Sequence, residues 1–252
     1  MPLNYSLNYS RRLTGRTRTQ PANRQLGCML AFIAGAVNAG GFLAVQHYTS
    51  HMTGIVSAMA DQLALGMYSL VAVGLSALVS FLLGATLSTM MVRHSRQRNL
   101  HSEYALPLLV EAGLLLCFGL LGSQISGFNG YYVSATVMLL SFIMGLQNAV
   151  ITKLSNAEIR TTHITGVITD IGIEMGKLLC PGTGAKAPDR SRLRLLAMLA
   201  LCFFIGGVSG ALGFKHLGYA ATVPLAVTLM ALSIIPIADD LLDYLRQRGR
   251  RR

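Results

Sequence analysis

One short polar motif is written twice in an otherwise apolar chain: SHMTGIVS begins at Ser50 and THITGVIT at Thr162, giving His-x-Thr-Gly at residues 51–54 and 163–166. Hydroxyl, imidazole and glycine in this order suit the start of a helix. Ser50 or Thr49, and Thr162 or Thr161, are good N-caps, and the Thr-Gly pair opens a segment of helical period. A helix that begins inside a membrane aims free backbone N–H groups and the positive end of its dipole at the space before it. His51, Thr53, His163 and Thr165 add side-chain donors there, and Gly54 and Gly166 would let two helix ends approach closely. The chemistry implied is the binding or passage of a small polar solute or ion. Neither histidine has a His or Cys neighbour at ligand spacing, so no metal is expected, and nothing in the pattern calls for a cofactor.

Asn38 and Asn148 precede the two histidines by similar intervals and fall within apolar runs. A polar side chain there needs a partner, so each is read either as a path-lining residue or as a hydrogen bond between helices. Glu111, also within an apolar run, is a candidate proton carrier or a partner for a nearby hydroxyl. Asp170 and Glu174 lie one turn apart with Lys177 following, which suits ion coupling or a satisfied ion-paired face. The motif segments have a second reading too. His51, Gly54, Ser57 and Asp61 share one face, as do His163, Gly166, Asp170, Glu174 and Lys177, the stripe expected of a helix lying on a membrane surface.

The elements that must position these residues are set by composition. Of 252 residues, 52% are hydrophobic and 12% charged, about half the charged share of soluble domains. The apolar residues form blocks at residues 26–45, 70–92, 105–121, 132–151, 195–213 and 219–237, mostly within the roughly 17 to 25 residues a helix needs to cross a bilayer. Because the blocks are continuous rather than alternating, a strand barrel is disfavoured. A net charge of +11 does not indicate nucleic acid, since the basic residues sit in arms and loops beside the spans. Residues 1–25 carry Arg11, Arg12, Arg16, Arg18 and Arg24 without an acid and read as a retained basic arm before the first span. The four cysteines show no C-x-x-C spacing and are expected to pack as small residues. No phosphate-binding loop or Ser/His/Asp order appears, which argues against an ATP-driven pump.

The motif belongs to a longer repeat. MLAFIAGAVNA from Met29 aligns with LLSFIMGLQNA from Leu139, matching Phe32 with Phe142, Gly35 with Gly145 and Asn38 with Asn148. FLLGATLS from Phe81 resembles FFIGGVSG from Phe203, and LPLLVEA from Leu106 resembles VPLAVTL from Val223. Each half thus reads span, His motif, span, span. If the motif segments at residues 52–66 and 164–180 crossed the membrane, the basic run RHSRQRNLH from Arg93 would fall opposite the basic N-terminus, against the positive-inside rule. If they do not cross, every basic loop falls on one side. The expected fold is an all-α membrane protein with six transmembrane helices in an inverted 3+3 repeat and two short re-entrant or interfacial helices. Its parts are a basic cytoplasmic arm (1–25), a first membrane repeat (26–130), a second (131–238) and a charged cytoplasmic tail (239–252). Gly206 and Gly210 have the spacing of tight helix packing, including packing at a subunit contact.

FIAGAVNAGGFLAVQHYTSHMTG, MGLQNAVITKL and THITGVITDIG resemble the signature stretches of the YoaK-like family of uncharacterised bacterial inner-membrane proteins, domain of unknown function 1275. The resemblance extends from about Gln25 to Ile237 and implies a polytopic protein of the bacterial inner membrane with no established activity. Asn38 stands where an Asp is expected in many relatives, which argues against a proton- or cation-coupled role at that position. The function expected is a transporter or channel for a small polar solute or ion. A membrane-embedded binding or scaffold protein is the alternative, and an intramembrane enzyme using His51 or His163 is a third. The expected partners are the lipid bilayer, the solute and a second copy of the chain, and not nucleic acid.

Overall fold

The computed structural model describes residues 13–14, 19–125, 131–180 and 187–250. Arg11, Arg12, Arg16 and Arg18 of the basic arm, Asn129 in the loop expected at residues 123–130, Lys186 and the last two arginines lie outside the described residues. The described residues form helices α1 (Gln20–Val45), α2 (Met52–Ala64), α3 (Tyr68–Gln97), α4 (Ala105–Ile125), α5 (Tyr131–Leu154), α6 (Ile164–Leu179), α7 (Arg190–Leu217) and α8 (Val223–Arg250), with a 3-10 turn at Gly218–Thr222. Five stretches are long and apolar enough to cross a membrane, and one of them, Arg190–Leu242, runs 53 residues through α7, the turn and much of α8. On α3 only 17% of the span is buried, and Val79, Leu82 and Leu83 stand exposed, as do Leu201, Phe204 and Ile205 on α7. Large apolar faces left uncovered on buried-length helices are what lipid, not water, stabilises. The protein is a multi-pass membrane protein.

The packing follows from small residues. The most extensive helix pairs are α1 with α7 and α3 with α5, then α4 with α8. A Cβ added at Gly35 would collide with the Phe203 carbonyl, and one at Gly206 with the Phe32 carbonyl. The same two collisions recur between α3 and α5: Gly145 lies on the Phe81 carbonyl and Gly84 on that of Phe142. Backbones that touch in this way gain dispersion contacts that no larger side chain permits. Gly210 sits against Ala36, so the glycine spacing at 206 and 210 serves a contact within the chain and not one between subunits. Each half therefore gives its first helix to the third helical element of the other half.

The contacts also fix direction. Along α1 and α7, Phe32 meets Gly206 and Ala36 meets Gly210, so these helices run parallel; Arg24 Nη1 donates to Ser191 Oγ at 2.8 Å near their starts. Ile159, just past α5, packs on Gly27 near the start of α1, which places the end of α5 beside the start of α1. His101 and Ser102, ahead of α4, donate backbone N–H bonds to Asp240 of α8 at 2.7 and 2.8 Å, while Thr222 donates to Leu115 O at 3.1 Å near the other end. One end of the bundle thus gathers Arg24, Arg96, Lys153, Arg160, Lys177 and Arg192. Among the described residues the opposite end carries Asp61 and Lys215.

Candidate functional site

Each motif is folded back along the helix before it. Asn38 Oδ1 accepts Ser50 Oγ at 2.8 Å and Ser50 N at 3.3 Å. Asn148 Oδ1 accepts Thr162 Oγ1 at 2.7 Å. Asn38 lies seven residues before Val45, the last residue of α1, or about 10 Å of helix. The chain must therefore leave α1, turn and descend by that distance before α2 begins. The turn is made at Gln46, in the left-handed region at φ 57°. Phe42 and Tyr48 stack at 4.5 Å across it.

These bonds change the expected capping. The N-caps of α2 and α6 are His51 and His163, and neither side chain bonds the first turn. Ser50 and Thr162 stand one position before these caps and donate their hydroxyl protons to the asparagines. Thr49 and Thr161 are buried with no partner for Oγ1. Ile164 N donates to Thr162 O at 3.0 Å, and among the described residues no N-cap side chain bonds the first turn of either helix. The glycines also act differently from expectation: a Cβ at Gly54 would meet His51 Nδ1 at 2.5 Å, and Gly166 lies likewise under His163. They make room for the ring of their own motif rather than for a second helix.

Both motifs face one cavity of about 780 Å³, lined by Asn38, Tyr48, Ser50, His51, Thr53 and Phe81 from one half and by Asn148, Arg160, Thr162, His163, Thr165 and Phe203 from the other. A cavity of about 250 Å³ adjoins it toward the neutral end and shares Tyr48 and His51. Another, of about 510 Å³, adjoins it toward the basic end and shares Arg160 and His163. Gly54 lines the first of these neighbours and Gly166 the second. The arrangement sets hydrogen-bond donors from both motifs on one shared wall.

The remaining candidates stand apart. Glu111 is fully buried and lines none of these three cavities; its Oε1 accepts Gln147 Nε2 at 2.7 Å. Asp170 lines the cavity at the basic end and accepts Arg192 Nη2 at 3.0 Å. Glu174 accepts Lys177 Nζ at 2.7 Å and Asp189 N at 2.9 Å, bonds that hold its carboxyl below the usual range, Lys177 contributing most. Asp189 caps α7 by accepting Ser191 N and Arg192 N at 2.9 and 3.0 Å.

The repeat, the paired Asn anchors and the His-x-Thr-Gly motifs can now be set beside known proteins. The family model described as protein of unknown function DUF1275 matches residues 26–235. The chain belongs to this family. It is 29% identical over 177 residues to UPF0700 transmembrane protein YoaK of Bacillus subtilis (strain 168), covering 69% of this chain and 77% of that protein. No solved structure matches.

For this member of the DUF1275 family, sequence reasoning missed Arg160, Tyr48, Phe81 and Phe203. By sequence Arg160 is one of the basic loop residues beside the spans, which the charge rule accounts for without a site. The repeat held the missing signal: Arg160 precedes His163 by the same three positions that separate Tyr48 from His51. Residues at equivalent offsets face the same cavity from opposite ends.

Proposed function

We propose that this protein moves a small polar solute or ion across the bacterial inner membrane through the cavity between its two histidine motifs. In this reading α1, α3, α4, α5, α7 and α8 cross the membrane, the halves are inverted repeats, and α2 and α6 are re-entrant. The length of the 53-residue stretch supports two crossings there, since one helix of that length would span about 80 Å against a hydrocarbon core of about 30 Å. The basic end then lies in the cytoplasm together with both termini, as the positive-inside rule requires.

The observation that supports the proposal is the series of three neighbouring cavities, the central one sharing Tyr48 and His51 with the first and Arg160 and His163 with the third. Irregular backbone at membrane depth is stable where it lines a water-filled space, and residues of both loops, Gln46 and Tyr48 in one and Arg160 and Thr162 in the other, line these cavities. The test is solute flux into liposomes containing the purified protein, compared with protein-free liposomes and with Asn38→Leu and Asn148→Leu. Flux in the parent and at least tenfold less in both variants is expected. A correctly folded, reconstituted protein that moves no member of a panel of small ions, acids and neutral solutes would leave a binding or scaffold role.

A further inference from the structure

We infer that the solute of the central cavity is a small anion with oxygen acceptors, an oxyanion or a short carboxylate; this rests on the proposed path and names its substrate class. Arg160 is the one residue of permanent charge on the cavity's lining, and no Asp or Glu contributes to that lining. Among the described residues, no carboxylate lies within salt-bridge distance of its guanidinium. Its bond is to His163 Nδ1, at 3.4 Å. Three acids line the adjoining cavity: Asp170, engaged by Arg192, Asp189, which caps α7, and Glu158. Toward the neutral end the lining of the adjoining cavity holds no Asp, Glu, Lys or Arg.

The wall is also rich in donors. α2 and α6, of 13 and 16 residues, start at the cavity with no acid in the first turn and no side-chain cap. Each contributes roughly half a positive charge at its start. Thr53 and Thr165 add hydroxyls. The amide oxygens are engaged: Asn38 Oδ1 accepts two bonds from Ser50, and Asn148 Oδ1 accepts one from Thr162. A cation would meet a guanidinium and two positive helix ends, whereas an acceptor-only anion pairs with the guanidinium and with the hydroxyl protons of the wall.

The experiment clamps the membrane potential of protein-containing liposomes with potassium and valinomycin, then measures uptake of nitrate, acetate, sodium ion and urea separately. Saturable binding of nitrate and acetate to the purified protein in detergent is followed by thermal shift. Uptake of nitrate or acetate, reduced at least tenfold in Arg160→Gln and restored in part by Arg160→Lys, is expected. Transport of sodium ion or urea with exclusion of both anions would overturn the anion assignment while leaving the path intact. Anion binding lost in Arg160→Gln, without flux in the parent, would keep the assignment and remove the path. Neither binding nor flux removes both. Because selectivity is read on the parent protein, a misfolded Arg160 variant does not shield the inference, and Thr165→Val supplies a second probe.

Discussion

Asn38 holds Ser50 through two hydrogen bonds, from the hydroxyl at 2.8 Å and the backbone N–H at 3.3 Å, and so fixes the depth at which α2 begins. Asn38→Leu removes both and leaves two donors beside an apolar group, a loss of about 1–3 kcal/mol. Its melting temperature is expected to fall and its flux to vanish. Asn38→Asp still accepts both bonds, so it should melt near the parent while placing a negative charge in the cavity. An Asn38→Asp variant that carried anions at the parental rate would contradict the assignment of this wall to an anion path.

Close backbone contact makes Gly35 and Gly145 equivalent in cost. Since a Cβ at either would overlap a phenylalanine carbonyl, Gly35→Ala and Gly145→Ala should each sharply reduce folded yield on size-exclusion chromatography. Gly113 has nothing within 4 Å of the added atom, and Gly113→Ala should stabilise α4 by about 0.5–1 kcal/mol. Equal behaviour of all three would deny the symmetric packing of the two halves.

Gln147 Nε2 donates to Glu111 Oε1 at 2.7 Å, and among the described residues Glu111 Oε2 and Gln147 Oε1 have no partner. A carboxylic acid can return a bond to the amide and close a two-bond ring, which a carboxylate cannot. An amide at position 111 can do the same through its N–H. Glu111→Gln is therefore expected to melt within a few degrees of the parent, and Glu111→Leu to lose about 1–3 kcal/mol by stranding the buried amide. Flux that survives Glu111→Gln would show that this carboxyl carries no transported proton.

At the basic end, Asp189 is held below the usual carboxylate range first by the Arg192 backbone N–H, and Glu174 first by the Lys177 ammonium. Both shifts are downward, so their contribution is complete above the ordinary carboxylate value of about 4 and is lost as pH falls through the lowered values. Thermal melts in detergent should be insensitive to these two groups between about pH 5.5 and 8 and should decline below about pH 4. Asp189→Asn should reduce that decline. Stabilisation on acidification through the same range would reverse the sign.

Topology gives a further test. Single cysteines introduced at Asn99 and at Gly66, in a background without native cysteines, should be labelled by an impermeant reagent from the cytoplasmic and the outer face respectively. Both reacting from one face would break the inverted repeat.

Much of the architecture was legible in the sequence because lipid imposes a local rule. A segment that crosses must be long, apolar and flanked by charge of the right sign, and those properties are read along the chain. The repeat was legible for a related reason: Phe32 with Phe142 and Gly35 with Gly145 keep their order wherever the helices go. Partner choice was not legible. The same glycine periodicity on α1 and α7 would suit packing within one half, across halves or between subunits, and only the placement of Gly206 on the Phe32 carbonyl selects the second. Capping failed for the same reason. Ser50 has the right type to cap α2 by local rules, but α2 starts one residue later, with His51 at the cap, and Ser50 is turned to Asn38, twelve residues away, a bond that exists only because the loop folds back. Arg160 lies with the other basic residues at one end of the bundle and also lines the cavity. Sequence determines that it is charged and where in the chain it lies; only the meeting of the two halves decides what it faces, since the opposing wall comes from residues about a hundred positions earlier.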